Sequence, residues 1–521
     1  MNHLPVLQVI VPLLAAPICL LLRHGGLARV LATCVAWSSF AMALISLDQV
    51  AQLGTLTYYL GGWEPPWGIE YRIDRTSALV LVVVTGIASA VIPIGPGEKS
   101  YQIPGHRHAM YYAAFLLCLC GLLGMTVTAD AFNVFVFLEI SSLSTYTLIG
   151  LGSNRRALTA AFNYLIMGTV GGTFYLIGVG LLYQMTGSLN MADIATRLSE
   201  MQSTRTVVVA FAFVTMGLAV KLAVFPVHQW LPNAYAYSPS AVSAFLAGTG
   251  TKVVYYLLAR ILMTVFGAAF VFDILGFDRL LMPISLVAMF AGSVAAIYQT
   301  DLKRLLAYSS IAQVGYLTLA LSLGTTEGIA AGLLHMFNHA LMKGGLFLVV
   351  ACIVCRTGSS QISELGGLAR RMPMTFAALI VGGFGLIGVP STVGFISKWY
   401  LVSAALGSGS YVVAALILAS SLLAVVYVWK IVEACVFGKA PEGAPQEEAP
   451  LGMLIPTWAL LGATLVFGLS ADFTTHAATS AAEQLSNGVK TAKLISRERR
   501  QLHAHTLAEP NAVTPAQESG Q

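Results

Sequence analysis

Apolar residues fill the chain in stretches of about 20, separated by short polar or glycine- and proline-containing segments. A helix needs roughly 20 such residues to cross the hydrocarbon core of a bilayer. Stretches of that kind lie near 4–22, 28–48, 75–95, 110–128, 131–152, 158–186, 206–230, 239–265, 280–299, 304–323, 328–355, 374–402, 411–437 and 451–470. The pattern predicts about fourteen transmembrane helices. Barrel strands would be shorter and would alternate apolar with polar residues, so the expected fold class is an all-α polytopic membrane protein.

Two stretches break the helical rule. The seventh, "GLAVKLAVFPVHQW", carries Lys221 and, five residues on, Pro226. The twelfth, "FGLIGVPSTVGFISKWYL", carries Gly388, Pro390 and Gly394 ahead of Lys398. A proline inside a helix removes a backbone donor, which in the seventh stretch frees the Leu222 carbonyl. Freed backbone groups at membrane depth are tolerated only beside protein or water. Two proline-interrupted, lysine-bearing helices in the two halves point to inverted repeats with a transport site near mid-membrane.

Composition narrows the class. The chain has 521 residues, 57% of them hydrophobic and 10% charged, against about 25% charged in soluble domains. A net charge of +5, with no basic stripe interleaved with aromatics, speaks against a nucleic-acid partner. The partner implied throughout is the lipid bilayer. The N-terminal run lacks an A-x-A-type cleavage site and reads as a first helix. The seven cysteines sit mostly in apolar runs. Cys352 and Cys355 form a lone C-x-x-C and read as buried hydrophobes.

Loop charge sets the expected orientation. Loops after the odd-numbered helices hold Arg23, Arg29, Lys99, Arg107, Arg155, Arg156, Lys303, Arg304, Arg356, Arg370, Arg371 and Lys439. The opposite loops hold Arg72, Arg75, Arg197, Arg205 and Arg279. The first set should face the cytoplasm, so both termini should face outward. The tail from 471 to 521, with Lys490, Lys493, Arg497, Arg499 and Arg500, runs against this; either the count is off by one or the tail is an exception. Its last residues read as disordered.

Ionisable residues inside apolar helices are functional candidates by default. They are Glu139, Lys221, Lys252, His335, His339, Lys343 and Lys398, with Lys430 and Glu433 nearer a helix end, where they read as an interfacial pair. His335, His339 and Lys343 are spaced i, i+4, i+8 and form one polar stripe on a helix. That stripe fits a proton or ion relay, since histidine titrates near neutrality; a buried structural polar cluster is the alternative. Without H-E-x-x-H or a third ligand, a metal site is not expected. Desolvation disfavours a buried ammonium and a nearby carboxylate favours it, so Glu139 and Lys221 could act as a switch. His228, just past the seventh break, is a further pathway candidate. "LGGWEPPWGIEYRID" suits an outer interfacial loop, and Asp301 a helix cap. With no phosphate loop, dinucleotide fingerprint or haem or iron–sulfur ligand set, no cofactor is expected.

Four segments then carry a resemblance: "KLAVFPVHQWLPNAYAYSPSAVSAFLAGTGTKVVYYLLAR", "DLKRLLAYSSIAQVGY", "HMFNHALMKGGLF" and "GVPSTVGFISKW". In this order they resemble the antiporter-like subunits of respiratory complex I, membrane-bound hydrogenases and Mrp-type cation/proton antiporters, over roughly residues 60 to 440. The resemblance implies fourteen helices, two inverted five-helix repeats, and breaks in helices 7 and 12. The organisation becomes 1–109 for three N-terminal helices and an outer loop, 110–265 and 280–437 for the repeats, 438–470 for helix 14 and 471–521 for a polar tail. It implies that Glu139 modulates Lys221, that Lys252 bridges the halves, and that His335, His339 and Lys343 lead to Lys398. Asn233 stands where complex I members often have aspartate. The short tail and "GGWEPPWGIEYRIDRTSALVLVV" are most similar to the D-type member of the Mrp antiporters. The implied function is proton translocation, within a plasma-membrane assembly of other membrane subunits, in exchange for sodium. The alternative is a proton-pumping subunit of a complex I-like NADH:quinone oxidoreductase or membrane-bound hydrogenase. Neither makes the chain itself an enzyme.

Overall fold

The computed structural model describes residues 3–96, 103–199, 201, 204–441 and 446–487. Lys99, the tail cations from Lys490 onward and the predicted disorder of the last residues lie outside the described residues.

The chain runs through α1 (Leu4–Leu22), α2 (Gly25–Leu53), β1 (Leu56–Tyr59), β2 (Glu70–Ile73), α3 (Arg75–Val91), α4 (His108–Val127), α5 (Ala131–Gly150) and α6 (Arg155–Thr186). It continues through α7 (Met191–Leu198), α8 (Arg205–Leu222), α9 (Trp230–Tyr237), α10 (Ser240–Arg260), α11 (Asp278–Ile297), α12 (Leu302–Ser322) and α13 (Thr326–Thr357). It closes with α14 (Leu368–Arg371), α15 (Pro373–Ile387), α16 (Val393–Gly407), α17 (Tyr411–Phe437), α18 (Leu451–Leu469) and α19 (Asp472–Ser486).

Twelve of these helices are long and apolar enough to cross a membrane. One of the twelve, α8, joins α9 as the broken seventh crossing. The shorter apolar α3 adds a crossing, and α15 with α16 together make the broken twelfth. The total is fourteen. The departure from all-helix is the antiparallel β1–β2 hairpin, with Leu56 opposite Ile73, whose loop exposes Trp63 and Trp67.

Local chemistry sets the ends of the crossings. Asp74 caps α3 in a reciprocal box with Ser77. Asp130 and Asp301 accept from the Asn133 and Arg304 amides at the starts of α5 and α12, each satisfying an orphan donor of a first turn. The capping role expected of Asp301 is therefore what it performs. Left-handed Gly187 and Gly358 end α6 and α13.

The two caps also reveal the repeat. Asp130 bridges to Asn190 and Asp301 to Gln361, so the same strap joins the start of α5 to the end of α6 and the start of α12 to the end of α13. The displacement is 171 residues in both cases. An odd number of crossings separates the repeats, so the straps sit on opposite membrane faces. This is an inverted repeat, built of crossings 4–8 and 9–13.

The two ends of the described chain share a face. The His3 ring packs on Tyr58 of the hairpin at 5.6 Å. α19, part of what the sequence reads as a polar tail, folds back as an ordered helix on α3 and α13, burying Ala478, Ala481, Ala482 and Leu485. Thr76 Oγ1 donates to the Ala481 carbonyl, and Gln484 Oε1 accepts the Arg75 amide. Tail and hairpin meet on one side, so the even count stands. α10 and α12 are almost wholly buried, while α2 and α18 leave about two thirds of their length uncovered.

Candidate functional site

The seventh crossing stops at Leu222 because Ala223 takes a left-handed conformation, φ 61°, unusual for a residue with a Cβ. Residues 223–229 leave the helix and α9 restarts it at Trp230. Lys221 lies in the last turn of α8, where carbonyl dipoles favour a cation. Its Nζ sits 3.7 Å from Glu139 Oε1 on α5, 2.5 Å from Ser142 Oγ and 3.5 Å from Tyr146 Oη. Lys221 is buried and Glu139 partly open. The Val220 carbonyl, which also accepts the Ala223 amide at 3.2 Å, accepts the Trp230 indole N–H at 2.8 Å. That indole stacks on Tyr164 at 3.8 Å, and Tyr164 meets Tyr146 edge to face at 4.8 Å. An aromatic column thus joins the restarted helix to the hydroxyl beside Lys221.

A cavity of about 40 Å³ opens beside this pair, lined by Ser141, Ser142, Lys221, Thr251 and Tyr235. It has room for about three or four waters, at roughly 10–15 Å³ for each probe-sized position. Thr251 Oγ1 accepts from Lys252 Nζ at 3.3 Å, and Lys252 also donates to the Ala247 carbonyl. Lys252 is fully buried in α10. The cavity therefore separates the Lys221 group from the Lys252 group by one hydroxyl.

The stripe on α13 is real, and its members point to different partners. Lys343 Nζ donates to the Leu306 carbonyl at 2.8 Å and to Ser309 Oγ at 2.5 Å. The His335 and His339 rings lie nearly parallel at 5.9 Å. His335 Nδ1 pairs with Ser397 Oγ at 3.0 Å. His335 Nε2 and both His339 nitrogens are buried without a protein partner among the described residues. Buried polar atoms of this kind are where proteins hold ordered water.

The twelfth crossing breaks between Ile387 and Val393, with Gly388 at φ 88°. Lys398, on the restarted half, reaches back and donates to the freed Leu386 and Ile387 carbonyls at 2.8 and 2.9 Å. Its ammonium also lies 5.2 Å over the Tyr316 ring, which is 5.7 Å from His335. The two breaks thus serve their lysines differently. In the first the indole takes the Val220 carbonyl and the lysine turns to a carboxylate; in the second the lysine takes the freed carbonyls itself.

Glu139, Lys221, Lys252, His335, His339, Lys343 and Lys398 therefore lie on neighbouring buried helices. His228 stands apart, stacked on Phe225 at 5.2 Å, with Nδ1 buried and without a hydrogen-bond partner among the described residues. Lys430 does not pair with Glu433 as the sequence suggests; it donates to the Ile297 and Gln299 carbonyls at 2.8 Å and caps α11. Cys352 Sγ lies 3.7 Å from the Thr457 hydroxyl, and all seven cysteines are free.

Sequence reasoning missed Ser142, Tyr146, Trp230 and two glycines of α6. A Cβ on Gly172 would come within 2.3 Å of Glu139 Oε1, and one on Gly168 within 1.9 Å of Tyr146 Oη. These glycines let the site's side chains lie against the α6 backbone. Their four-residue spacing was the available signal, since small residues at that interval mark close helix approach.

The comparisons agree with this architecture. The family model described as "NADH:quinone oxidoreductase/Mrp antiporter, TM" matches residues 128–424. The chain is 42% identical over 492 residues to the N-type subunit of the NADH-quinone oxidoreductase of Desulforudis audaxviator, covering 90% of this chain and 96% of that one. It is 28% identical over 502 residues to the D-type subunit of the Na(+)/H(+) antiporter of Bacillus subtilis, covering 96% and 100%. A chain of the Mrp complex from Dietzia superposes with a TM-score of 0.86 at 25% identity, covering 95% of this chain and 99% of that one. The chain belongs to the NADH:quinone oxidoreductase/Mrp antiporter transmembrane family, a family of multi-pass membrane proteins.

Proposed function

We propose that the chain is the proton-translocating subunit of a multi-subunit monovalent cation/proton antiporter of the plasma membrane, exchanging protons for sodium. The observation that carries this reading is the Glu139–Lys221 contact at 3.7 Å beside a helix break. Desolvation disfavours the Lys221 ammonium and the carboxylate favours it. A change in their separation therefore loads or unloads a proton. The cavity, Thr251, Lys252, the α13 stripe and Lys398 extend the route across the bilayer midplane. A relative named as a Na(+)/H(+) antiporter subunit and a structural neighbour from an Mrp complex support membrane-subunit partners.

A second reading has its own support. The 42% relative is named as a subunit of NADH-quinone oxidoreductase, so the same relay could serve a redox-driven pump. In either case the chain is a translocating subunit and not itself a catalyst.

The test is dye-reported proton exchange in everted vesicles carrying the whole complex. Sodium should collapse a preformed pH gradient with the wild type, and the response should vanish in Lys221→Ala and Glu139→Ala with assembly intact. A gradient formed only on adding NADH or another reductant would select the second reading. Loss of assembly in both variants would make the pair structural.

A further inference from the structure

A second, larger cavity lies away from the relay. Its volume is about 220 Å³, and its polar wall includes Asn154, Ala236, Ser238, Lys303, Gly358 and Ser360. These residues come from the α5–α6 loop, the end of α9, the start of α12 and the loop after α13. They mark one membrane face, between the two repeats, on the side that collects most of the loop cations.

Lys303 is 5% exposed, yet its role in the relay is none. Among the described residues its Nζ donates to the Ser238 carbonyl at 2.9 Å. The neighbouring carboxylate, Asp301, already accepts the Arg304 amide, the Ser360 hydroxyl and the Gln361 amide group. Arg155 and Arg156 follow Asn154 on the rim, the latter with its guanidinium 6.0 Å over the Tyr237 ring. Arg304 is the fourth cation of this corner. One carboxylate against four cations leaves the mouth positive.

The cavity has a polar way inward. Ser238 Oγ meets Ser243 Oγ at 2.8 Å, and Ser243 Oγ donates to the Tyr235 carbonyl at 2.8 Å. Tyr235 lines the cavity that also holds Lys221 and Thr251. On the other side, Lys303 sits one helical turn before Leu306, whose carbonyl holds Lys343. The mouth therefore approaches the Lys221 group through hydroxyls and a carbonyl, and shares α12 with the carbonyl that holds Lys343.

We propose that this vestibule is the cytoplasmic mouth of the relay and that Lys303 is its charge filter, admitting water and protons and rejecting sodium ions. A fixed cation at a constriction repels mobile cations. An excess proton carries the same charge and meets the same field, but it moves by exchange along hydroxyls and water and sheds no hydration shell. Sodium, which must be partly dehydrated as well as repelled, is held back the more strongly. The transport role rests on the function proposed above; the field at the mouth does not.

The test reads that field directly in membranes carrying the whole complex. Ala236→Cys places a thiol on the vestibule wall, with the exposed Cys34 and half-exposed Cys355 replaced by serine. Two methanethiosulfonate reagents of similar size, one sulfonate and one trimethylammonium, are compared after normalising to their rates with a free thiol. The sulfonate should react roughly tenfold faster, the effect of a partly solvated charge several ångströms away. Lys303→Gln should lower the ratio severalfold, the three rim arginines keeping it above one, and Lys303→Arg should keep it at the wild-type value. In vesicles, Lys303→Gln should admit sodium roughly tenfold faster. A ratio indifferent to Lys303→Gln, in complexes that assemble as Lys303→Arg does, overturns the filter. If the ratio responds but Lys221→Ala leaves proton exchange intact, the filter stands and the function proposed above fails.

Discussion

Gly172→Ala perturbs the switch without touching either charged residue. The added Cβ would lie 2.3 Å from Glu139 Oε1, so the carboxylate must retreat by about 1 Å to reach ordinary contact. The Lys221–Glu139 separation then grows from 3.7 Å to about 4.7 Å. At an effective dielectric of about 20, the attraction falls from about 4.5 to about 3.5 kcal/mol. A loss of about 1 kcal/mol is a factor of about five in any equilibrium or rate that depends on the pair. The displaced atom is the free end of a flexible side chain, so the bundle should still assemble. Sodium-driven proton exchange in everted vesicles should drop about fivefold, scored against complex quantified on native gels. Gly180→Ala on the same helix, where a Cβ meets nothing within 4 Å, should match the wild type. Full exchange in an assembled Gly172→Ala complex would refute the claim that the separation of this pair sets the rate.

Further outcomes follow from the same structure. Asp74 and Arg260 form a buried pair at 2.7 Å, so Asp74→Asn should cost about 3–5 kcal/mol, read as a lower melting temperature in detergent. Burial alone would raise the Asp74 carboxyl, but the Arg260 guanidinium, with Arg72 and the Ser77 amide, holds it down at about 2. A lowered folded-state value gives stability that is present above about pH 4 and lost as pH falls toward 2; the melting temperature should be flat from about pH 5 to 8, and Asp74→Asn should remove the acid limb. Lys430→Ala loses two bonds to α11 carbonyls, a cost of about 1–2 kcal/mol, and should leave proton exchange within twofold. Ending the chain at Leu469 removes α19 and should lower the melting temperature, since its buried side chains contribute roughly 4 kcal/mol.

The crossings, the two breaks and the buried charges were legible because each violates or obeys a strong local rule. An ammonium in a 20-residue apolar run is conspicuous wherever it ends up. Ser142 was not legible, since Ser144, Thr145 and Thr147 on the same helix bond their own preceding turn; nothing in composition separates the hydroxyl that meets a lysine from those that do not. Gly168 and Gly172 carry no chemistry until the partner helix is placed. Trp230 carries no signal in the sequence; only the fold brings its indole back onto the Val220 carbonyl at the end of α8. α19 is weakly apolar, so its packed face of alanines passed for tail. Lys430 was misassigned because a sequence shows Glu433 three residues away and hides the α11 carbonyls.

The repeat displacement of 171 residues exposes one more consequence of the design. It carries Glu139 to Ser310 and carries Lys343 back to Gly172. In the first repeat the α5 position is a carboxylate and the facing α6 position a glycine against which that carboxylate lies. In the second repeat the charge changes helix and sign: the α12 position is a serine and the α13 position a lysine, held by the adjacent Ser309. The two repeats of one scaffold therefore hold an anion and a cation, on non-equivalent helices. The anion favours a charged Lys221. The cation disfavours charge on His339, one turn away on the same helix. On the function proposed above, a proton near Lys221 would be held, while one on the α13 histidines would be pushed onward toward Lys398. Two copies of one fold, identical in charge, would bias neither direction. The placement of opposite charges in the two repeats gives the axis a polarity, which, on the function proposed above, Glu139 would strengthen or release by moving against Gly172.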